Sequence, residues 1–213
     1  TSQTGSFSSV LTLVEDGDDL VQIGHLDKLG VNEEIKSVRW FDDLAIVVTF
    51  RQTDPLYAVD LSTPARPRLI GALKVPGFSE YLHPLGQRRL LGLGMAADRN
   101  GMTHGAQAAL FTVRDLGRVQ RMDVVRFGKD TTPQAAYDPR QFTWLPDHRT
   151  ALAVISAGWS GRTGSVAILH VEDGRLQTSV REVEYGSEVD QVRLVPLPAG
   201  RVVLVTGDDV RFF

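Results

Sequence analysis

The sequence predicts an all-β protein, and three observations support this prediction. Short runs rich in Val, Ile, Leu and aromatic residues follow one another along the chain. Turn-forming Gly, Pro, Asp and Ser separate these runs, as at 15–17, 172–174 and 198–200. Helical periodicity is weak, because the best apolar stripe, at 25–35, is interrupted by Gly30.

Composition restricts both the class of protein and its function. The chain has 213 residues, of which 42% are hydrophobic and 23% charged, so one or two domains with packed cores are expected. The net charge of −3 argues against a nucleic-acid-binding surface. The absence of cysteine excludes disulfides, thiol nucleophiles and cysteine-based metal sites. No apolar run is long enough for a membrane span and no signal peptide opens the sequence, so we expect no membrane insertion by this segment and any export signal upstream of it.

Two kinds of hairpin alternate along the chain. The first is an apolar strand that ends in an acidic turn and leads into a second strand, and its copies begin at 10–17, 56–62, 109–115 and 166–174. The second kind lies between these copies, with Trp40, His83, Trp144 and Leu194 at matching positions. Together the two hairpins form a four-stranded unit of the size of a propeller blade. The sequence therefore predicts a β-propeller of four-stranded antiparallel blades.

The repeat also predicts the domain organisation, with the strands of a blade labelled A to D from the inside of the ring outwards. Three whole blades are expected at 37–76, 80–127 and 138–184, with a C–D half at 8–29 and an A–B half at 189–213, all in a single propeller domain or part of one. Because a blade buries its faces only against other blades, two arrangements remain open. Either the two halves join and close a four-bladed disc, or residues 210–213 begin a further C strand. In the second case the chain is an arc of a larger propeller, which a second chain or fragment completes.

Part of the chain also resembles a known family. The segment VRWFDDLAIVVTFRQTDPLYAVDLS at 38–62, continued through 67–84, is similar to a bacterial and archaeal family of secreted proteins with a C-terminal β-propeller, distantly related to WD40 repeats. Residues 56–67 also resemble the LVIVD-type propeller repeat. The resemblance implies an exported, often membrane-tethered protein with no established enzymatic activity. Members of the family are longer than this chain, which favours the arc. Residues 138–142 read DPRQF where an Asp-His-Lys-Ala-Phe-like string is expected, which weakens any functional transfer there.

No motif predicts a catalytic residue, a cofactor or a metal site. Residues 92–97 fit G-x-G-x-x-A, but the glycines that follow are poor in the helix that dinucleotide binding requires. Ser160 is followed by Gly-Arg and lacks the second glycine of a nucleophile elbow. The 5 histidines include no H-E-x-x-H pair, and the acidic loop at Asp98 lacks a later calcium ligand.

The loops of one face are the predicted binding surface. Propeller geometry places the B–C and D–A loops on the same face, and the B–C loops at 94–108 and 156–165 are longer than ordinary hairpin loops. Trp159 and Arg162 are the strongest contact candidates, because Trp and Arg are enriched in interface hot spots. The full set of predicted partner-binding residues is Trp159, Arg162, His104, Arg99, Arg51, Asp54 and His83.

His83 differs from the other candidates because it lies on a predicted A strand near the central channel. Arg39, Thr143 and Arg193 are expected to converge with it there.

Three functions therefore remain open. The first is a non-catalytic extracytoplasmic scaffold that binds a protein, peptide or glycan, but no nucleic acid, through the B–C/D–A face. The second is a hydrolase or lyase at the channel mouth that uses His83, Arg39 and Asp54. The third is a purely structural domain that presents another region of the protein.

Overall fold

The computed structural model describes residues 6–41, 43–50, 54–75, 78–98, 102–115, 119–158, 162–186 and 189–213. At residues 50, 54, 55, 74, 75 and 78 the description is limited to the backbone. These residues form five antiparallel sheets that follow one another along the chain. The prediction of an all-β fold is confirmed.

The first three sheets are a hairpin and two four-stranded blades. Their strands are β1 (Ser8–Asp16) and β2 (Asp19–Leu29); β3 (Glu34–Phe41), β4 (Leu44–Phe50), β5 (Asp54–Asp60) and β6 (Arg68–Val75); and β7 (Phe78–Gly86), β8 (Arg89–Ala97), β9 (Thr103–Thr112) and β10 (Gln120–Arg126). Each strand pairs with the next one in sequence within its sheet.

The last two sheets have five and three strands. Their strands are β11 (Thr131–Pro133), β12 (Phe142–Leu145), β13 (Thr150–Ala157), β14 (Thr163–Glu172) and β15 (Arg175–Glu184); and β16 (Arg193–Pro196), β17 (Val202–Val205) and β18 (Val210–Phe212). The innermost strand of the fourth sheet is split, because β11 and β12 both pair with β13. Residues 134–141 leave the sheet between them, and Asp138 caps the second of two short 3-10 turns by accepting a hydrogen bond from the Arg140 N–H at 3.0 Å.

Neighbouring sheets bury their faces against one another in chain order. Phe111 belongs to the core between the second and third sheets, Leu91 to the core between the third and fourth, and Leu204 to the core between the fourth and fifth. β8 is buried along nearly its whole length and its sequence is a continuous apolar run, as expected for a strand covered on both faces. This stacking places the innermost strands side by side and brings the loops of adjacent blades together.

The first and last sheets expose apolar side chains. Leu11 and Leu13 of the first sheet are 51% and 50% exposed, and Val195 and Phe212 of the fifth are 41% and 64% exposed. β18 pairs with β17, and β1 and β2 form a sheet of their own. No apolar core among the described residues joins the first sheet to the fifth.

Candidate functional site

A groove lies on the B–C/D–A face, between the third and fourth sheets. Its volume is about 650 Å³, which is within the usual range of ligand pockets. Its walls come from the β8–β9 connection, the β10–β11 connection, the end of β13 and the segment before β16. We call it the face groove and define it by Met95, Met102, His104, Lys129, Asp130 and Gln134.

Asp98 shapes the wall that the β8–β9 connection contributes. Its N–H donates to the Met102 carbonyl, and its Oδ1 accepts from the Met102 N–H, both at 3.0 Å. Its Oδ2 lies 3.3 Å from Nε2 of His104. These contacts hold Met102 and His104 at the rim of the face groove, where Met102 is 65% exposed.

Gly105 and Thr131 join this wall to the β10–β11 connection. Oγ1 of Thr131 accepts from the Ala106 N–H at 2.9 Å and donates to the Gly128 carbonyl at 2.8 Å. Gly105 has a φ of 104°, and a Cβ at this position would overlap the Gly128 carbonyl oxygen. Only glycine allows such a close approach of the two backbones, so the groove has a fixed shape on this side.

The floor of the face groove is polar and buried. Gln134 is 8% exposed and donates through Nε2 to Oγ of Ser156 at 2.6 Å. The Gly158 N–H donates to the Asp130 carbonyl at 2.9 Å, which ties the end of β13 to the β10–β11 connection. Lys129 and Asp130 are exposed beside this contact. The face groove thus combines an apolar rim, a hydrogen-bonded floor and one side chain of each charge.

A second pocket, of about 580 Å³, opens on the channel side where the innermost strands β7, β12 and β16 meet. We call it the channel pocket and define it by Tyr81, His83, Arg140, Phe142, Trp144 and Arg193. Its rings form one wall. The centroid separations are 4.8 Å for His83 and Phe142, 5.1 Å for Tyr81 and Phe142, and 6.5 Å for His83 and Trp144. These separations are those of favourable aromatic contacts.

His83 carries no charge at neutral pH. Burial, and after it the nearby Arg39 charge, lower the pKa of His83 to about 4. Nδ1 of His83 lies 3.2 Å from the hydroxyl of Tyr81, whose pKa is raised by burial. His83 therefore contributes a neutral ring to the wall of the channel pocket.

Asp138 joins two arginines at the edge of the channel pocket. Arg140 donates to it through Nε and Nη2, both at 2.9 Å, and Nη2 of Arg193 lies 3.1 Å from its Oδ2. The hydrogen bond from Arg140, with the charges of both arginines, holds the pKa of Asp138 below its usual range. Asp138 is therefore ionised at neutral pH, and the three side chains together carry one net positive charge.

Arg39 brings further positive charge to the channel side. Its Nε donates to the Leu82 carbonyl of the next blade, and its Nη1 donates to the Val38 carbonyl at 2.7 Å. Its guanidinium carbon lies 5.1 Å from the centroid of the Tyr81 ring. Arg193, at the matching position of its own sheet, repeats the contact by donating through Nη1 to the Val192 carbonyl at 2.7 Å.

The family model described as the Beta propeller domain matches residues 1–195. This chain belongs to that family. It is similar to an uncharacterized protein of Methanocaldococcus jannaschii, with 36% identity over 126 residues, 59% of this chain and 19% of that protein. It is also similar to an uncharacterized protein of Archaeoglobus fulgidus, with 38% identity over 99 residues, 46% of this chain and 15% of that protein. The propeller segment thus matches less than a fifth of the length of either relative.

Solved structures share the fold of this propeller chain. A protein from Lactobacillus plantarum aligns with a TM-score of 0.62 at 12% identity, over 97% of this chain and 64% of that one. A chain from the crystal structure of the mitotic checkpoint complex aligns with a TM-score of 0.53 at 14% identity, over 90% of this chain and 53% of that one. At these identities the likeness shows the fold alone.

The predicted contact residues do not gather in one site of the propeller. His104 lines the face groove, whereas His83 lines the channel pocket. Arg162 is exposed in the β13–β14 connection of the same face, and its carbonyl accepts from the Tyr185 N–H at 2.8 Å. Trp159, Arg99 and Arg51 lie outside the described residues, as does the side chain of Asp54, at which β5 begins.

The residues expected to converge near His83 meet in part. Arg193 and Thr143 line the channel pocket with it, and Oγ1 of Thr143 donates to the Leu194 carbonyl at 2.7 Å. Arg39 contacts the backbone of β7 and the Tyr81 ring. The hydrolase or lyase alternative uses His83. In the structure, the hydrogen-bonding neighbour of His83 is the hydroxyl of Tyr81.

The B–C loops are shorter than predicted, and the predicted loop boundaries are wrong here. β8 continues to Ala97 and β9 begins at Thr103, while β13 continues to Ala157 and β14 begins at Thr163. The strands extend because glycine and alanine keep their backbone pairing, as Gly94 does with Gln107. The predicted loops were too long because glycine and alanine have a low strand propensity.

Sequence reasoning missed the contribution of the D–A connection. Lys129, Asp130 and Gln134 line the face groove, and Arg140 lines the channel pocket, yet none was among the predicted contacts. Their position in the sequence could have identified them, because the polar stretch between Gly128 and Pro133 belongs to a D–A loop on the predicted face.

Within the described ranges, no cluster of three or more His, Asp or Glu side chains is placed to hold a metal ion. In the same ranges, no helix is long and apolar enough to cross a membrane.

Proposed function

We propose that this propeller is a non-catalytic binding scaffold that holds a peptide segment of a protein partner in the face groove. The observation that carries the proposal is the convergence of four connections from two adjacent blades on one groove of about 650 Å³. Loops on a rigid scaffold are the usual place for binding residues.

The side chains of the face groove match the chemistry of a peptide. Met95 and Met102 offer flexible, polarizable apolar surface that adapts to varied side chains. Lys129 and Asp130 can pair with side chains of either charge. The hydroxyls of Thr103 and Thr132 add hydrogen-bonding groups for a peptide backbone. A peptide of a few residues therefore fits this groove better than a purely apolar ligand does.

The hydrogen bonds beneath the groove support binding without a large entropy cost. Gln134 and Ser156 fix the floor, and Thr131 and Gly158 fix the two connections that flank it. A site that is ordered before binding loses less conformational freedom when the partner arrives. A chain of similar fold occurs in the mitotic checkpoint complex, which is a protein assembly, and this supports a scaffold role for the present chain.

The scaffold is proposed to act outside the cytoplasm. The support is the resemblance of residues 38–62 and 67–84 to a family of secreted proteins with a β-propeller. Protease treatment of intact cells that express the full-length protein tests this placement. Cleavage of the propeller on intact cells is expected, and protection until the cells are lysed would contradict it.

Selection from a phage-displayed peptide library tests the binding function. Peptides selected on the wild-type chain are expected to bind the Met102→Lys variant about tenfold more weakly by fluorescence polarisation, a loss of about 1.4 kcal/mol. Met122→Lys is the matched control, because Met122 is also exposed (40%) but lies on β10, outside the groove. Equal binding to both variants, or no enriched peptide at all, would overturn the proposal.

A further inference from the structure

We propose that the channel pocket is a second, separate binding site, and that its ligand is a carboxylate carried by a ring. This site is independent of the peptide site in the face groove, since the two pockets share no lining residue. Two features of the channel pocket, its ring wall and its excess positive charge, carry the inference.

The ring wall selects a ligand with a flat or apolar face. The His83 ring lies in contact range of both Phe142 and Trp144, and Leu194 and Thr143 also line the pocket. Aromatic rings bind other rings by offset or edge-to-face packing, with the partner centroid about 4.5–7 Å away. The pocket volume of about 580 Å³ accommodates a ligand of one or two rings.

The charge of the channel pocket selects an anion. Arg140 and Arg193 share the single carboxylate of Asp138, so one positive charge remains uncompensated within this cluster. Arg39 adds a second positive charge beside Tyr81. Among the described residues, the Glu80 carboxyl interacts with Lys36, and Asp190 is exposed and meets Arg193 through its backbone carbonyl.

Arg140 is placed to receive the carboxylate. Its side chain is 71% exposed, and it uses Nε and one Nη2 hydrogen for Asp138. A guanidinium has five N–H donors, so donors remain for an incoming oxygen. A ligand ring that packs on Trp144 or Phe142 would bring its carboxylate towards this edge of the pocket, because all three residues line the same space.

Two classes of compound carry this chemistry, aromatic acids and acidic sugars, and the experiment separates them. The probes are phenylacetate with its neutral amide phenylacetamide, and a digalacturonate with its methyl ester. Binding is measured by isothermal titration and by quenching of tryptophan fluorescence on the whole 213-residue chain. We expect one acid to bind at least about tenfold more tightly than its neutral partner, as a charge-assisted hydrogen bond requires.

Matched variants place the binding in the channel pocket. Trp144→Ala is expected to abolish binding of the acid, whereas Trp40→Ala, at the matching repeat position but outside the pocket, leaves it unchanged. Arg140→Gln, at a side chain that is 71% exposed, is expected to remove the preference for the acid over the neutral partner. The proposal is overturned if no probe binds the wild type at millimolar concentration. Equal affinity for acid and neutral forms overturns it too, as does loss of binding in Trp40→Ala rather than Trp144→Ala.

Discussion

Phe212 lies directly opposite Val203 in the antiparallel register of β17 and β18, and Val203 in turn lies opposite Val195 on β16. Side chains that are directly opposite in an antiparallel sheet share one face. Phe212 is 64% exposed, so this face of the fifth sheet offers a row of apolar side chains to solvent. The other face of the same sheet buries Leu204 against the fourth sheet.

Exposure of this row predicts self-association of the isolated chain. Contiguous apolar patches mark association surfaces, so light scattering at rising concentration is expected to give a mass above that of the 23.4 kDa monomer. Phe212→Lys is expected to return the mass towards the monomer value, and Met122→Lys, at an exposed residue of another sheet, is not. A wild-type mass that stays at the monomer value at all concentrations would contradict the prediction.

Gly105→Ala is expected to destabilise the chain by about 3 kcal/mol or more, since it combines an unfavourable φ with a steric overlap. The added Cβ would meet the Gly128 carbonyl. Gly128→Ala is the control, because its φ of 96° is also positive but nothing lies within 4 Å of the added carbon. It is expected to cost only the backbone strain, about 1–2 kcal/mol. Urea unfolding measures both free energies, and equal losses would show that the overlap at Gly105 is relieved by movement of the backbone.

The hydroxyl of the buried Tyr185 is expected to stabilise the folded chain. This hydroxyl lies 2.8 Å from the Ile155 carbonyl and 2.6 Å from the Ser165 carbonyl, across the pair β13 and β14. Tyr185→Phe removes the bond and is expected to lower the free energy of unfolding by about 1–2 kcal/mol. Tyr137→Phe is the control, because Tyr137 is 72% exposed. Loss of its hydroxyl is expected to change the free energy of unfolding by less than about 0.5 kcal/mol. Similar effects of the two variants in urea unfolding would rule out this role for Tyr185.

The stability of the chain is expected to depend on pH through His83. Its pKa is lowered from 6.5 to about 4 in the folded chain, so between these values the unfolded chain binds a proton at this residue that the folded chain does not. Stability then rises with pH across this window and falls as the pH decreases towards 4. His83→Phe keeps a ring in the wall and is expected to flatten the dependence in urea unfolding.

The pH comparison is made above pH 4, because two ion-paired carboxylates affect the stability at lower pH. Asp60, whose pKa is about 2, and Asp138 lose their contribution to the stability as the pH falls below 3.8, the usual pKa of an aspartate. Glu80, whose pKa is raised by burial, is present in both chains, so its effect cancels in the difference. A pH dependence of His83→Phe identical to that of the wild type would contradict the assignment.

Much of the architecture could be predicted because its signals are local. The acidic turns Glu15-Asp16-Gly17 and Glu172-Asp173-Gly174 each end a strand, and Asp173 and Gly174 have the positive φ that a tight hairpin turn requires. The alternation of two hairpin types predicted the meander of each blade. The ends of strands were less well predicted where the residues are small. Gly94 and Ala97 belong to β8, although neither residue type favours a strand.

The candidate sites were predicted only in part. The face was predicted from the rule that B–C and D–A loops lie together, and His104 lies in the face groove as that rule implies. The contribution of Gln134 was not predicted, because it depends on a break in the innermost strand that no repeat pattern announces. Arg140 depends on the same break, since residues 134–141 carry it out of the sheet and into the channel pocket.

The sequence by itself determined most of the strands and their antiparallel order along the chain, because periodicity and turn chemistry act over a few neighbouring residues. Only the tertiary structure decided which side chains meet. Met95 and Gln134 reach one groove because two blades pack face to face. His83 is neutral because that packing buries it beside Phe142 and near Arg39. Contacts between blades join residues far apart in the chain, and the free energy that places them comes from burial of whole sheet faces rather than from any local pattern.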